Sequence, residues 1–177
     1  EGDAARAVDM MEADRLDVYG VGISDADLHQ KIQDSKILGF DLSFGSSVEL
    51  TFNPVGPTFG DTNQLNPFHL QSVRQAMNWL IDREYIAQEI YGGLAKPRYL
   101  PINTVFPDYA RLVTTARQLE IEYGHKPGMA REVITREMQE LGAERVQGKW
   151  HYQGQPVKLT FLIRMEDKRR EVGDYIA

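Results

Sequence analysis

Apolar residues recur every three or four positions in several stretches of the chain, which is the pattern of helices that each bury one side. The clearest stripe runs through Val73, Met77 and Leu80. A following helix is predicted to begin after Asp82, whose side chain suits the capping position, and to end at Gly92-Gly93. Helices are predicted over residues 3–12, 24–33, 70–81, 83–91 and 127–141, with partial helix over 112–123 and a charged helical pattern from residue 166 to the end.

Alternation of apolar and polar residues predicts two antiparallel hairpins. The first pairs residues 38–44 with residues 48–53, and the second pairs residues 149–152 with a longer strand over 157–164. A short strand is also expected at Leu16–Tyr19. The apolar residues of the first hairpin are Leu38, Phe40, Leu42 and Phe44 in one strand and Val48, Leu50 and Phe52 in the other. Helices and hairpins mixed in this order predict an α/β fold, in the form of a mixed α+β lobe.

Composition excludes several classes of protein. The chain has 177 residues, 42% of them hydrophobic and 26% charged, which is ordinary for a globular protein. The net charge is −6, and the basic residues are interspersed with acidic ones, so no basic stripe exists to bind nucleic acid. Cysteine is absent, which excludes disulfides and thiolate chemistry. The short apolar stretch Leu159–Ile163 is far below the roughly 20 residues that a membrane-spanning helix needs.

No pattern of reactive side chains predicts an enzyme. The four histidines, His29, His69, His125 and His151, have no partner at the spacing of a metal site. The chain contains no nucleophile elbow of the Gly-x-Ser-x-Gly type. Glu137 and Glu140 lie one turn apart on a helix, where a solvated face is the ordinary interpretation. We therefore expect no catalytic residues, no metal site and no cofactor.

The order of motifs resembles the family-5 extracellular solute-binding proteins of ABC importers, the oligopeptide-, dipeptide- and nickel-binding type. The strand Leu-Thr-Phe-Asn at 50–53 precedes Val-Arg-Gln-Ala-Met-Asn-Trp-Leu-Ile-Asp-Arg at 73–83, which is similar to that family's central motif. The segment 92–97, the helix 129–142 and the hairpin 149–160 follow in the family's order. The resemblance covers nearly the whole chain, although a longer charged stretch, 109–127, stands where the family has a short loop.

The resemblance implies a fold and a function. Residues 1–177 are expected to be a partial C-terminal lobe, truncated at both ends, of a type II periplasmic-binding-protein-like clamshell. The implied function is that of the substrate-binding component of an importer, which captures peptides or similar small solutes without covalent chemistry. Its implied partners are a small-molecule or peptide ligand, the ABC permease subunits and the other lobe of the same protein. The implied location is the periplasm or cell surface, with the parent protein anchored as a lipoprotein. A stand-alone receptor-like interaction or regulatory domain that does not transport is the alternative.

The loop 98–107 is the best candidate for ligand contact, because the resemblance places it toward the cleft between lobes. Tyr99, Asn103 and Thr104 offer an aromatic wall and hydrogen-bonding groups. A purely structural loop is the competing interpretation. For Arg74, Asp82 and Arg83, in the central motif, we expect structural roles: Asp82 as a cap and the two arginines paired with carboxylates or loop carbonyls.

Overall fold

The computed structural model describes residues 3–41, 45–104, 106–165 and 167–177, and within these ranges the chain combines helices with one small sheet. The helices are α1 (Ala4–Glu12), α2 (Ala26–Asp34), a 3-10 turn (Pro67–His69), α3 (Gln71–Leu80), α4 (Arg83–Tyr85) running into a π-helical turn (Ile86–Ile90), α5 (Pro107–Arg111), α6 (Val113–Tyr123), α7 (Pro127–Glu140) and α8 (Arg169–Ile176). The strands are β1 (Ala143–Val146), β2 (Lys149–Tyr152) and β3 (Gln155–Pro156). The mixed α+β composition expected of the lobe is confirmed.

Local capping explains where the helices begin. The Asp3 side chain accepts a hydrogen bond from the Arg6 backbone N–H at 3.2 Å, and Asp25 accepts one from Leu28 at 2.8 Å. Pro127 occupies the first turn of α7. Proline lacks a backbone N–H, but the N–H groups of the first turn have no acceptor within the helix, so no hydrogen bond is lost there. The predicted starts of these helices are confirmed. They could be predicted from the sequence because each start depends only on neighbouring residues.

The central packing contact joins α3 to α7. Ala76 and Ala130 are both completely buried, and their small side chains allow the two helices to approach closely. Trp79, at the end of α3, donates its indole N–H to the Glu122 carbonyl at 2.8 Å and stacks on Tyr123. A second cluster lies at the other end of α7, where Leu65, Met138 and Ala143 are buried under Ile134, Leu141, Trp150, Tyr152 and Val157. The loop before α3 and the sheet are therefore held to the same helix.

The helix after Asp82 is short and irregular. Its α-helical part is followed by the π-helical turn, and the chain leaves it through Gly92 and Gly93 with φ angles of 57° and 81°. A side chain at Gly92 would meet the Ala26 side chain at 2.4 Å, so glycine is required there for space as well as for conformation. The predicted glycine stop is confirmed, and it brings the beginning of α2 against this helix.

The sheet has the order β1-β2-β3, with both pairs antiparallel. Ala143 lies opposite Tyr152, and His151 lies opposite Pro156. The turn between β2 and β3 has positive φ angles at Gln153 (50°) and Gly154 (76°), the geometry that suits the twist of a tight hairpin. The predicted second hairpin is thus confirmed at its turn and along β2.

Four predicted strands are wrong over the described residues. Residues 38–41 and 48–53 form no ladder, Leu16–Tyr19 is not a strand, and the strand of the second hairpin ends at Pro156. Leu42 and Phe44, which were predicted to face Val48–Phe52, lie outside the described residues. An extended segment becomes a strand only when another backbone lies about 4.8 Å away to accept its hydrogen bonds. Alternation of apolar and polar residues shows which segments suit a strand. It does not show whether a second backbone will lie beside them.

The chain exposes an unusually large surface for its mass. Its accessible surface area is 12499 Å², whereas a compact monomer of 20.2 kDa exposes about 8,800 Å². Several large apolar side chains contribute to that surface, among them Leu162 at 93% exposure and Val18 at 76%. Among the described residues, no helix has both the length and the hydropathy to cross a bilayer.

Candidate functional site

The candidate site lies where the loop after the π-helical turn folds back toward α4. Arg83, the first residue of α4, places its guanidinium carbon 4.8 Å from the centre of the Tyr99 ring. The same guanidinium donates to the Asn78 carbonyl at 3.1 Å and to the Asn78 side chain at 2.5 Å. Asn78 sits on α3, so α3 positions Arg83, and Arg83 in turn positions Tyr99. A cation over an aromatic face is favourable and orients both groups.

Tyr99 forms part of the wall of a pocket of about 220 Å³. The pocket is lined by Glu84, Lys96, Pro97, Tyr99, Tyr109, Ala116 and Glu120. These residues come from four places: α4, the loop that follows the π-helical turn, α5 and α6. A small group rather than a whole large solute fits a volume of this size.

The pocket combines aromatic, acidic and basic groups. Burial raises the pKa of the Tyr99 phenol above its ordinary value, and the Arg83 charge opposes that shift. Tyr99 therefore keeps its proton at neutral pH and can donate a hydrogen bond. Glu120 forms an ion pair with Arg117 on the next turn back of α6. The carboxylate of Glu84 and the ammonium group of Lys96 give the lining both signs of charge, which suits a solute that itself carries both.

The three residues predicted from the sequence are placed differently. Tyr99 lines the pocket, whereas Asn103 and Thr104 are not among its lining residues. Asn103 is 7% exposed, and its backbone carbonyl accepts a hydrogen bond from Phe106 at 3.1 Å. Thr104 is exposed. Val105, between them and Phe106, lies outside the described residues. A ligand role for all three residues stays a prediction.

The structural roles expected in the central motif are confirmed. Arg74 donates to the carbonyls of Phe68 (2.5 Å) and His69 (3.0 Å) and so ties α3 to the preceding turn. Asp82 accepts from the Tyr85 backbone N–H at 3.0 Å, as a cap does, and its other oxygen lies 3.0 Å from the His125 ring. Asp82 therefore joins the start of α4 to the segment before α7.

Sequence reasoning missed most of the pocket. Glu84, Lys96, Tyr109 and Glu120 are separated by up to 36 positions, and nothing in their spacing marks them as neighbours. The sequence predicts a structural role for Arg83, and the structure adds its contact with the Tyr99 ring. Across the ranges that the structure describes, no group of three histidine, aspartate or glutamate side chains is arranged to hold a metal ion.

Comparison with known protein families gives a match over almost the whole chain. The sequence model of a family described as bacterial extracellular solute-binding proteins, family 5 Middle, matches residues 2–177. No curated protein matches the chain. The family match covers the capped helices, the Arg83–Tyr99 contact and the sheet, so it extends over everything described above.

Proposed function

Because the chain belongs to the bacterial extracellular solute-binding proteins of family 5, which serve ABC import, we propose that it captures peptides or similar small solutes outside the cytoplasm and delivers them to a membrane permease. The observation that carries the proposal is the match over residues 2–177. We further propose that residues 1–177 form a partial C-terminal lobe and that the other lobe belongs to the same polypeptide. Proteins of this family typically bind solutes rather than transform them.

The pocket beside Tyr99 supports a peptide-like ligand. A peptide carries an ammonium group, a carboxylate and amide groups, and the lining offers Glu84, Lys96 and the Tyr99 hydroxyl to match them. Opposite charges placed across a contact contribute mainly to specificity and to the rate of association. Because the pocket is small, the rest of the solute must be held by groups on the facing lobe.

Capture follows from closure of two lobes around the solute. The ligand shifts the equilibrium toward the closed form only to the extent that it binds that form more tightly. A single lobe offers only part of the contacts, so residues 1–177 alone should bind more weakly than the two-lobed protein. The closed form is then the one that the permease recognises, and a lipid anchor on the parent protein would keep it near the membrane.

The proposal is tested with the two-lobed gene product in a thermal-shift screen against peptides and other small metabolites. A ligand at 100 times its Kd should stabilise the protein by about 2.7 kcal/mol. The Tyr99→Ala variant should then bind the same ligand about tenfold more weakly by calorimetry, which corresponds to a loss of about 1.4 kcal/mol. The Glu84→Gln variant should lose affinity selectively for ligands with a free ammonium group.

The matched control is Glu140→Gln, an exposed carboxylate of α7 that does not line the pocket. It should leave affinity unchanged. If no member of the library raises the unfolding midpoint, the solute-binding proposal fails for that range of solutes. If Tyr99→Ala binds as tightly as the unaltered protein, the pocket is not the site.

A further inference from the structure

Two corners of the chain are joined by hydrogen bonds beside the pocket. Residues 78–82 form the corner between α3 and α4, and residues 121–126 form the corner between α6 and α7. The Trp79 indole N–H donates to the Glu122 carbonyl at 2.8 Å, and the Lys126 backbone N–H donates to the Trp79 carbonyl at 2.8 Å. Trp79 is therefore bonded to the second corner through both its side chain and its backbone. We call Trp79, Asp82, Glu122, His125 and Lys126 together the corner clamp.

Within the corner clamp, Lys126 binds the end of α6. Its ammonium group donates to the Ile121 carbonyl at 2.7 Å and to the Glu122 carbonyl at 3.1 Å. The last carbonyls of a helix have no donor within the helix, so a lysine beside them satisfies them and lies at the negative end of the helix dipole. The Glu122 carbonyl thus accepts from two donors, the Trp79 indole and the Lys126 ammonium group.

Asp82 connects the corner clamp to the first turn of α4. One of its carboxylate oxygens accepts from the Tyr85 backbone N–H at 3.0 Å, and the other lies 3.0 Å from Nδ1 of His125. The side chains of Asp82 and His125 are 28% and 38% exposed, so water competes only in part for this contact. A single carboxylate therefore fixes both the beginning of α4 and the residue that precedes Lys126.

The corner clamp lies close in the chain to lining residues on two sides of the pocket. Glu84 is two residues after Asp82, in the turn that Asp82 caps. Glu120 is two residues before Glu122, in the last turn of α6. Residues within one helical turn move together, so a shift of either corner changes the position of the lining carboxylate beside it.

We propose that Trp79, His125 and Lys126 are positioning residues that set the distance between the α4 side and the α6 side of the pocket. None of the three is among the lining residues, so they act through Glu84 and Glu120. The proposal rests on the proposed function, in that it takes this pocket as the place of ligand contact. It adds that the affinity for the solute depends on three residues outside the pocket.

The distance between the two sides can be measured without a ligand. The chain contains no cysteine, so spin labels attach only to cysteines that are introduced. Glu89, on the π-helical turn that continues α4, and Gln118, on α6, are exposed and do not line the pocket. After Glu89→Cys and Gln118→Cys, nitroxide labelling and pulsed electron paramagnetic resonance give the distribution of distances between α6 and the helix that begins with α4.

Three variants each remove a side-chain contact of the corner clamp in this labelled protein. Trp79→Phe removes the indole N–H, Lys126→Met removes the ammonium group but keeps the backbone N–H, and His125→Phe removes the ring nitrogens. Each should broaden the distance distribution. The combination of Trp79→Phe with Lys126→Met should broaden it most, because the Glu122 carbonyl then loses both donors. Circular dichroism verifies that each variant is folded.

Two further variants separate positioning from a general effect on stability. Lys126→Arg keeps donors for the carbonyls of α6 and should restore the narrow distribution. Lys31→Met is the matched control, because Lys31 also makes two close contacts, with carboxylates of α1, and is not a lining residue of the pocket. It should leave the distance distribution unchanged.

Affinity is measured by calorimetry on the two-lobed gene product, with the peptide that raises its unfolding midpoint most in the thermal-shift screen. The three clamp variants should bind that peptide about threefold or more weakly, whereas Lys31→Met should bind it unchanged. An unaltered distance distribution in the combined variant would overturn the proposal, and so would a broadened distribution with unaltered affinity. Broadening in a protein that binds no member of the library supports the corner clamp, while the proposed function fails.

Discussion

Asn66 is the polar side chain on which the loop before α3 most depends. It is completely buried, and its amide donates to the carbonyls of Asn53 (2.9 Å) and Val55. Its side-chain oxygen accepts from the Phe68 N–H at 3.1 Å and so caps the 3-10 turn. One side chain therefore joins the extended segment before residue 56 to the 3-10 turn that precedes α3.

Asn66→Ala removes all three hydrogen bonds at once. Each contributes a net 0.5–1.5 kcal/mol, so the free energy of unfolding should fall by about 3 kcal/mol. Asn66→Asp has almost the same shape and keeps the acceptor for Phe68, but it presents an acceptor-only carboxylate to two carbonyls. Because that buried charge faces two carbonyl oxygens and keeps only the Phe68 N–H as a donor, the loss at neutral pH should be at least as large as for Asn66→Ala. It should shrink in acid, where a protonated carboxyl again donates one hydrogen bond.

Urea denaturation followed by the fluorescence of Trp79 and Trp150 measures these losses. For an m-value of about 2 kcal/mol/M, a loss of 3 kcal/mol lowers the midpoint by about 1.5 M. Gln118, an exposed amide on α6, supplies the controls Gln118→Ala and Gln118→Glu, which should stay within about 0.5 kcal/mol. A loss below about 1 kcal/mol for Asn66→Ala would show that water replaces the three hydrogen bonds and would refute the reasoning.

Two further predictions concern backbone conformation and acid stability. Gly92→Ala should cost about 2 kcal/mol or more, because φ is 57° and the added carbon would meet Ala26 at 2.4 Å, whereas Gly128→Ala in open space on α7 should be neutral or stabilising by up to about 1 kcal/mol. Thermal unfolding of the two variants checks this, and equal effects would contradict it. The Arg169 side chain, which donates to Asp167 at 2.8 Å, holds the pKa of Asp167 below its usual value. The stability that this pair contributes is present above the unfolded-state pKa of about 3.9 and is lost as the pH falls through the folded-state pKa. The small destabilisation by Asp167→Asn should therefore be smaller in a thermal scan near pH 2 than in one at pH 7. A difference that is the same at both pH values would exclude this linkage.

The family was predictable because the residues of the central motif are contiguous. The run 73–83 together with the strand-like segment 50–53 resembles family-5 solute-binding proteins, and the family match over residues 2–177 confirms that prediction. The candidate site was predictable only through Tyr99. Its neighbours Glu84, Lys96 and Glu120 are brought together by the packing of α4, the loop after the π-helical turn, and α6. No local sequence pattern predicts that packing.

The sequence by itself determined the features that depend on a few adjacent residues. Asp3, Asp25 and Asp82 begin helices, Gly92-Gly93 ends one, and Gln153-Gly154 turns the hairpin, because caps and tight turns are made by neighbours within about four positions. Only the tertiary structure decided which extended segments become strands and which side chains share a pocket. Strand pairs and the pocket both bring together residues that are far apart in the chain. The free energy of forming them therefore depends on how the whole polypeptide packs.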